Sequence, residues 1–189
     1  MKSALSACLF VAILLVPVLG RPTCGVGEWR KVSEVFDGDT LRLKGGEKVR
    51  LIGIDAPELH ESDKLERDAR RSHRDRKTIQ KMGRQSYEVF KKLVGKGPVR
   101  LELDETTRDK YGRTLAYVYA CLPQKQFESI VLGGPPAKSK SPLREYQLNR
   151  EMIRYGWAEA FRSFSYREKP EFFRLESEAR EANRGLWEE

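Results

Sequence analysis

Histidine and cysteine are scarce in this chain, with two and three copies among 189 residues. No cluster of either has the spacing of zinc ligands, which excludes an ordinary structural or catalytic zinc centre. His60 and His73 both fall in a stretch crowded with charge and read as solvated side chains, not catalysts. Long apolar runs are also missing after residue 20, so nothing beyond that point is expected to span a bilayer as a helix.

What is present is a charged, compact composition. Hydrophobic residues make up 39% and charged ones 34%, which suits one globular domain with a heavily charged surface. The formal net charge is +8, and Lys2 is its only contributor within the first twenty residues. Such an excess draws polyanions to a small domain through a sequence-independent phosphate attraction. The N-terminus reads as a secretory signal over residues 1–20: Lys2, an apolar stretch from Ala4 to Leu19, and cleavage expected after Gly20. The alternative is an uncleaved anchor helix, the one route to membrane contact. Leu5-Ser6-Ala7-Cys8 looks like a lipoprotein box, but too little apolar sequence precedes it. Cleavage would leave Cys24 and Cys121, either as a disulfide tying the N-terminal arm (21–27) to the domain or as two thiols. A released or periplasmic protein is the expectation.

From Glu28 onward the chain alternates in short segments. Val32 and Val35 precede an Asp37-Gly38 turn, and Leu41 and Leu43 alternate with Thr40 and Arg42 as a half-buried strand. Gly45-Gly46 reverses the chain into Val49–Ile54, apolar except at Arg50. Residues 60–81 carry few apolar side chains and read as a mobile loop or a solvated helical extension. A helix is predicted over Met82–Val94 with Gly95 as its stop, then strands at Val99–Asp104 and Thr114–Tyr119. Residues 122–142 read as a loop-like insertion around Gly133-Gly134-Pro135-Pro136. Asn149 is predicted to N-cap a helix ending at Gly156, and Pro170 to open a last helix that Gly185 terminates. Five short strands with about three α-helices indicate an α+β chain, mainly β: an OB-fold-type five-stranded Greek-key barrel over 28–189.

Three segments carry residue types that turn and strand geometry do not demand. Asp37-Gly38-Asp39-Thr40 on its own is an ordinary hairpin element. Arg50 to Glu58 is a strand bearing one guanidinium and ending in Asp55-Ala56-Pro57-Glu58, either a mounted site or surface charge at a loop. Asp109-Lys110-Tyr111-Gly112-Arg113 is a tight turn whose Lys, Tyr and Arg supply a point charge, a phenolic donor and a planar fork for phosphate.

Together and in this order the three segments resemble the staphylococcal nuclease (thermonuclease-like) family, over about Glu28 to Trp187. The resemblance implies that Asp39 and Asp55 are carboxylate metal ligands and that Ala56 ligates through its backbone carbonyl. It implies Glu58 as general base or water-orienting residue, Arg50 and Arg113 as the grip on the scissile phosphate, and Lys110 and Tyr111 as contacts to a terminal phosphate. Asp37 looks like support for the metal loop, not a ligand. An all-oxygen donor set suits calcium, or another hard divalent cation, and disfavours zinc. The family also stacks bases on tyrosines after its second helix. Phe164 or Tyr166 stands in that region here, either as a stacking platform or packed away.

The function implied is an exported, metal-dependent endonuclease acting on DNA and/or RNA as a monomer and leaving 3′-phosphates. Its rivals are a catalytically inactive nucleic-acid-binding module on the same barrel and an envelope protein that meets other anionic polymers. The complete set Asp39, Arg50, Asp55, Glu58 and Arg113 favours the enzyme, since mere binding needs no cation cage beside an arginine clamp.

Overall fold

Alternation of apolar residues produces the strands on which everything else is mounted. A computed structural model describes residues 24–95 and 97–188; the segment read as a signal, with its cleavage point after Gly20, lies outside them. β1 (Trp29–Val35), β2 (Thr40–Leu43) and β3 (Lys48–Leu51) form an antiparallel meander, with Val35 opposite Leu41 and Thr40 opposite Arg50. The expected strand 49–54 breaks at Gly53, whose φ of +79° turns the chain; a Cβ there would come within 2.6 Å of the Tyr166 ring. β4 (Ile54–Asp55) therefore leaves the sheet and pairs with β8 (Glu159–Ala160).

β5 (Pro98–Arg108) pairs antiparallel with β1 and with β6 (Thr114–Pro123), and β6 runs parallel to β3, with Arg50 opposite Leu115. That last pairing closes a five-stranded barrel, the OB-fold-type architecture expected. Closure removes the free edges that β3 and β6 would otherwise expose on that side. Leu41, Leu43, Val49, Leu51, Val99 and Val118 fill the interior and are fully buried.

Among the described residues the helices are five, two more than expected, with a closing 3₁₀ turn at Gly185–Trp187. α1 (Asp63–Ser72) is capped by Ser62, whose hydroxyl accepts from Leu65 N at 3.1 Å. α2 (Arg76–Val94) starts six residues earlier than its apolar stripe suggested, because Asp75 caps it and Ile79 carries its buried face back toward that cap. The insertion 122–142 is not a plain loop. It contains α3 (Gln124–Val131), with Phe127, Ile130 and Val131 buried at helical spacing, and ends at β7 (Leu143–Gln147), which extends the sheet beside β6. Asn149 is no N-cap: it lies inside α4 (Leu148–Arg154), fully buried. Its amide donates to Ile52 O (2.8 Å) and Ala116 O (3.1 Å), and its Oδ1 accepts from Val118 N (2.8 Å). It thus satisfies the backbone where β3 ends against β6. α5 (Lys169–Glu181) has Pro170 in its first turn as expected, but Asn183, at φ +48°, turns the chain before Gly185 does.

Cys24 and Cys121 are joined in a disulfide, with Cα atoms 5.9 Å apart. The bond fixes the arm preceding β1 to β6, and so resolves the open choice between bridge and thiols. No helix among the described residues is long and apolar enough to cross a membrane.

Candidate active site

Two short segments, one before β2 and one after β3, meet at one end of the barrel. In the first, Asp37 Oδ1 accepts from Asp39 N at 2.9 Å, a local turn that aims the Asp39 carboxylate inward. Asp39 is 3% exposed and has both carboxylate oxygens engaged: Oδ1 by the Thr40 hydroxyl (2.9 Å) and Arg50 Nη1 (2.5 Å), Oδ2 by Ala56 N (3.0 Å), which leaves Oδ2 an acceptor site to spare. Between the two acids, a Cβ on Gly38 would clash with Ser86 Oγ and stand 2.7 Å from Ala56 Cβ. Only glycine lets the two segments and α2 approach this closely.

Arg50 reaches across both segments. Besides Asp39, its Nη2 donates to Asp55 Oδ1 (3.1 Å) and Ile54 O (3.2 Å), and its guanidinium lies 5.9 Å from the Phe161 ring centroid. It links the two carboxylates that the sequence reading paired as ligands. Glu58 follows three residues after Asp55, on backbone pressed against α2: a Cβ on Gly83 would overlap Glu58 O and lie 2.8 Å from Pro57 O. Lys64, in the first turn of α1, completes the group. Its ammonium is 3.1 Å from Ala56 O, 3.2 Å from Glu58 Oε1 and from Asp68 Oδ2, and 3.4 Å from Asp55 Oδ1.

Burial works against every charge here, and the neighbours decide the outcome. For Asp39, burial is outweighed by Arg50 and by the hydrogen bonds from Ala56 N and Thr40, holding its carboxyl below the usual range. For Asp55, burial prevails over Lys64 and Arg50 and raises it. Lys64 and Arg50 are both raised, because the acids around them overcome their own desolvation. Asp37 is pushed up to about 7 by burial and by the adjacent Asp39 charge.

The Asp37 shift makes a checkable prediction. A folded-state value above the unfolded one means folding favours the protonated acid, so stability falls as the pH rises from about 4 to about 7. Asp37→Asn stays neutral while keeping an Oδ1 for Asp39 N. Its stability, by urea unfolding in chelator, is expected to match wild type near the ordinary aspartate value and to exceed it increasingly up to about pH 7. A constant difference across that window would contradict the assignment.

The oxygens fit a hard cation. Asp39 and Asp55 offer carboxylates and Ala56 a carbonyl, with no nitrogen or sulfur donor among them, and an ammonium already sits against two of the three residues. Among the described residues no three His, Cys, Asp or Glu side chains converge as a metal-holding group. Two carboxylates and a carbonyl leave the rest of a coordination shell to water and substrate, as hard cations accept.

The third predicted segment is the β5–β6 turn. Asp109 organises it, accepting from Tyr111 N (2.9 Å), Arg113 N (3.0 Å) and Arg113 Nε (2.6 Å), with Gly112 at φ +78°. The Val49–Thr114 pairing sets this turn beside the start of β3, the strand that carries Arg50. Tyr111 is 72% exposed, with Lys110 Nζ 5.0 Å from its ring centroid and the Arg113 guanidinium 5.5 Å from it. Arg113, Tyr111, Arg42, Lys48 and Arg108 line one basic crevice, whereas Asp55, Ala56 and Lys64 line another.

The aromatic pair divides. Tyr166 is in the core, 7% exposed, its hydroxyl on Phe161 O at 3.1 Å and its ring against Phe172, so it has no face for a base. Phe164 is half-buried between Phe161 and Tyr166, with centroids at 5.1 and 5.9 Å. The sequence reading missed Thr40, Lys64, Asp68 and Phe161. Only the Lys64–Asp68 pair left a trace there, as an i,i+4 charge pattern.

Comparison with known proteins shows which family the sequence resembles. Residues 48–189 match the sequence profile described as staphylococcal nuclease homologue. The chain is 34% identical to the thermonuclease of Staphylococcus intermedius over 133 residues, covering 63% of this chain and 71% of that protein. It is 29% identical to the micrococcal nuclease of Shigella flexneri over 191 residues, 99% of this chain and 88% of that one. It is 34% identical to endonuclease YncB of Bacillus subtilis over 92 residues, 47% and 37% of the two chains. The profile match starts at β3, so Asp39 lies outside it and joins the site through the β2–β3 pairing.

Proposed function

The chain belongs to the staphylococcal nuclease homologue family, and from that membership we propose that it is a nuclease that hydrolyses the phosphodiester bonds of DNA and RNA with one hard divalent cation, calcium being preferred. The observation that carries this is the meeting of Asp39, Arg50, Asp55, Ala56 and Glu58 from two separate segments around one group of oxygens. A module that only bound nucleic acid would gain nothing from burying two carboxylates against a guanidinium, an arrangement that costs desolvation.

A dication held by Asp39, Asp55 and the Ala56 carbonyl would supply Lewis-acid polarisation of the phosphoryl oxygen and a template for the substrate. The chain's own residues do the rest. Glu58, 27% exposed at its side chain, takes the proton from the attacking water. Arg50 holds the two carboxylates in register beside the cation position, and Arg113, fixed by Asp109 in the neighbouring basic crevice, offers the remaining planar donors of its guanidinium to a phosphate that spans the two. Lys110 and Tyr111 hold a neighbouring phosphate from the exposed turn, and the partly open Phe164 is the remaining candidate for base contact. Departure of the 5′ oxygen leaves a 3′-phosphate. The Cys24–Cys121 disulfide supports maturation in an oxidising compartment, and so supports reading residues 1–20 as an export signal.

The test is digestion of plasmid DNA and of RNA in calcium, magnesium or EGTA, with the ends of the products analysed. Cleavage in calcium, its loss in EGTA, and 5′ ends that a polynucleotide kinase labels without prior phosphatase are expected. Cleavage indifferent to EGTA would refute the metal dependence. Retardation of single-stranded DNA without any cleavage would favour the binding module.

A further inference from the structure

Lys64 is the least expected member of the site. Surface ion pairs on this protein join one cation to one or two acids, as Arg76 joins Glu66. The Lys64 ammonium instead touches four oxygens from four residues at 3.1–3.4 Å, and one of them is the Ala56 backbone carbonyl. A carbonyl carries no countercharge, so ion pairing alone gives no reason for its inclusion. Surrounding one positive centre with carboxylate and carbonyl oxygens is what a cation cage does. Two of those residues, Asp55 and Ala56, are ones assigned above to the divalent ion, and a third, Glu58, is the assigned base.

We propose that Lys64 is a resident counter-cation: its ammonium seats on the Asp55 and Ala56 oxygens when no divalent ion is bound, and it is the group that an incoming ion displaces. This rests on the cation site proposed above. Lys64 can play both parts because its charge rides on a flexible four-carbon stem, and it stands in the first turn of α1, which reaches the cage from outside the barrel. An ammonium and a dication cannot share the same two ligands, since each repels the other at contact distance. Displaced, Lys64 also releases Glu58 from its ion pair, so the base is freed only as the ion arrives. The plug lowers apparent affinity by the fraction of molecules in which the seat is taken. It thereby sets a threshold of ion concentration below which the site stays closed.

Two measurements on the folded protein with calcium chloride decide this. Lysine acetylation followed by peptide mass spectrometry needs no mutation: the Lys64 rate is expected to rise about fivefold or more from EGTA to saturating calcium, as the occupied conformer is depopulated, while exposed Lys125 stays unchanged. A Lys64 rate that does not respond to calcium overturns the proposal. Calorimetric titration then compares wild type, Lys64→Met, Lys64→Gln and Asp39→Ala. Both Lys64 variants are expected to bind calcium about tenfold tighter, through removal of the competing conformer, and Asp39→Ala to lose binding. Equal or weaker binding in the Lys64 variants, with wild type binding and Asp39→Ala not, rejects the plug and leaves the cation site standing. Absence of binding in every protein rejects both.

Discussion

Asp39→Ala is expected to remove measurable hydrolysis and to lower folding stability by about 3–5 kcal/mol. Both effects have one origin. The carboxylate is 3% exposed and accepts from the Thr40 hydroxyl, Arg50 Nη1 and Ala56 N. Alanine removes these acceptors at once. It leaves Arg50, itself largely buried, facing Asp55 alone, and a buried charge deprived of its partner is far costlier than the intact pair was worth. Ala56 N is orphaned in the same step, so the second segment loses its tether to the first. Activity falls because one of two cation-holding carboxylates is gone and the other is no longer held in place. Acid offers an internal control. The Asp39 carboxyl lies below its ordinary value, so the stability it provides is present at neutral pH and is lost as the pH falls through its folded-state value. Urea unfolding should therefore show the full deficit at neutral pH and a shrinking one in acid. A deficit below about 1 kcal/mol, or one constant with pH, would mean that these hydrogen bonds do not hold the site together.

How much of this was legible beforehand depended on whether a residue's local signal matched its tertiary use. β2 was legible because Leu41 and Leu43 alternate with Thr40 and Arg42, and β6 because the run after Thr114 is rich in the β-branched and aromatic side chains that strands favour. The ligand segments were legible because Asp, Gly, Arg and Glu were in excess of what a turn requires. α3 was hidden because eight residues between Pro123 and Gly133-Gly134-Pro135-Pro136 take on the composition of their flanks. Asn149 misled through its own preference: a residue favoured at caps is used here to satisfy three backbone groups inside the core. Tyr166 had the residue type of a stacking platform, yet Gly53 opposite it offers a ring-sized recess in the core. Lys64 was invisible for a different reason. In a segment with so many lysines and arginines, an i,i+4 pairing with Asp68 does not single out the one that folds back onto the ligands; only the distance between residues 56 and 64 in space distinguishes it.

Glu58→Gln is expected to reduce kcat by about 10²–10⁴, the range for loss of a positioned general base, with KM for DNA little changed. Glutamine keeps the size of the side chain and a carbonyl oxygen that can still accept from Lys64, so the cage survives. The Glu58 backbone is set independently of its carboxylate, since α2 lies against it at Gly83, and the variant should therefore retain its stability. What the amide cannot do is take a proton. A loss confined to kcat marks an interaction made only in the transition state, whereas a matched rise in KM would mean that Glu58 serves substrate binding. The same substitution removes one of the acids holding Lys64 in its seat, so calcium should bind no more weakly than in wild type even as turnover collapses. That combination separates the two roles this group of residues has to fill. Tighter or unchanged ion binding with lost turnover is the signature of a base, and weakened ion binding would place Glu58 among the ligands instead. A kcat within about tenfold of wild type would move the proton to another acceptor altogether.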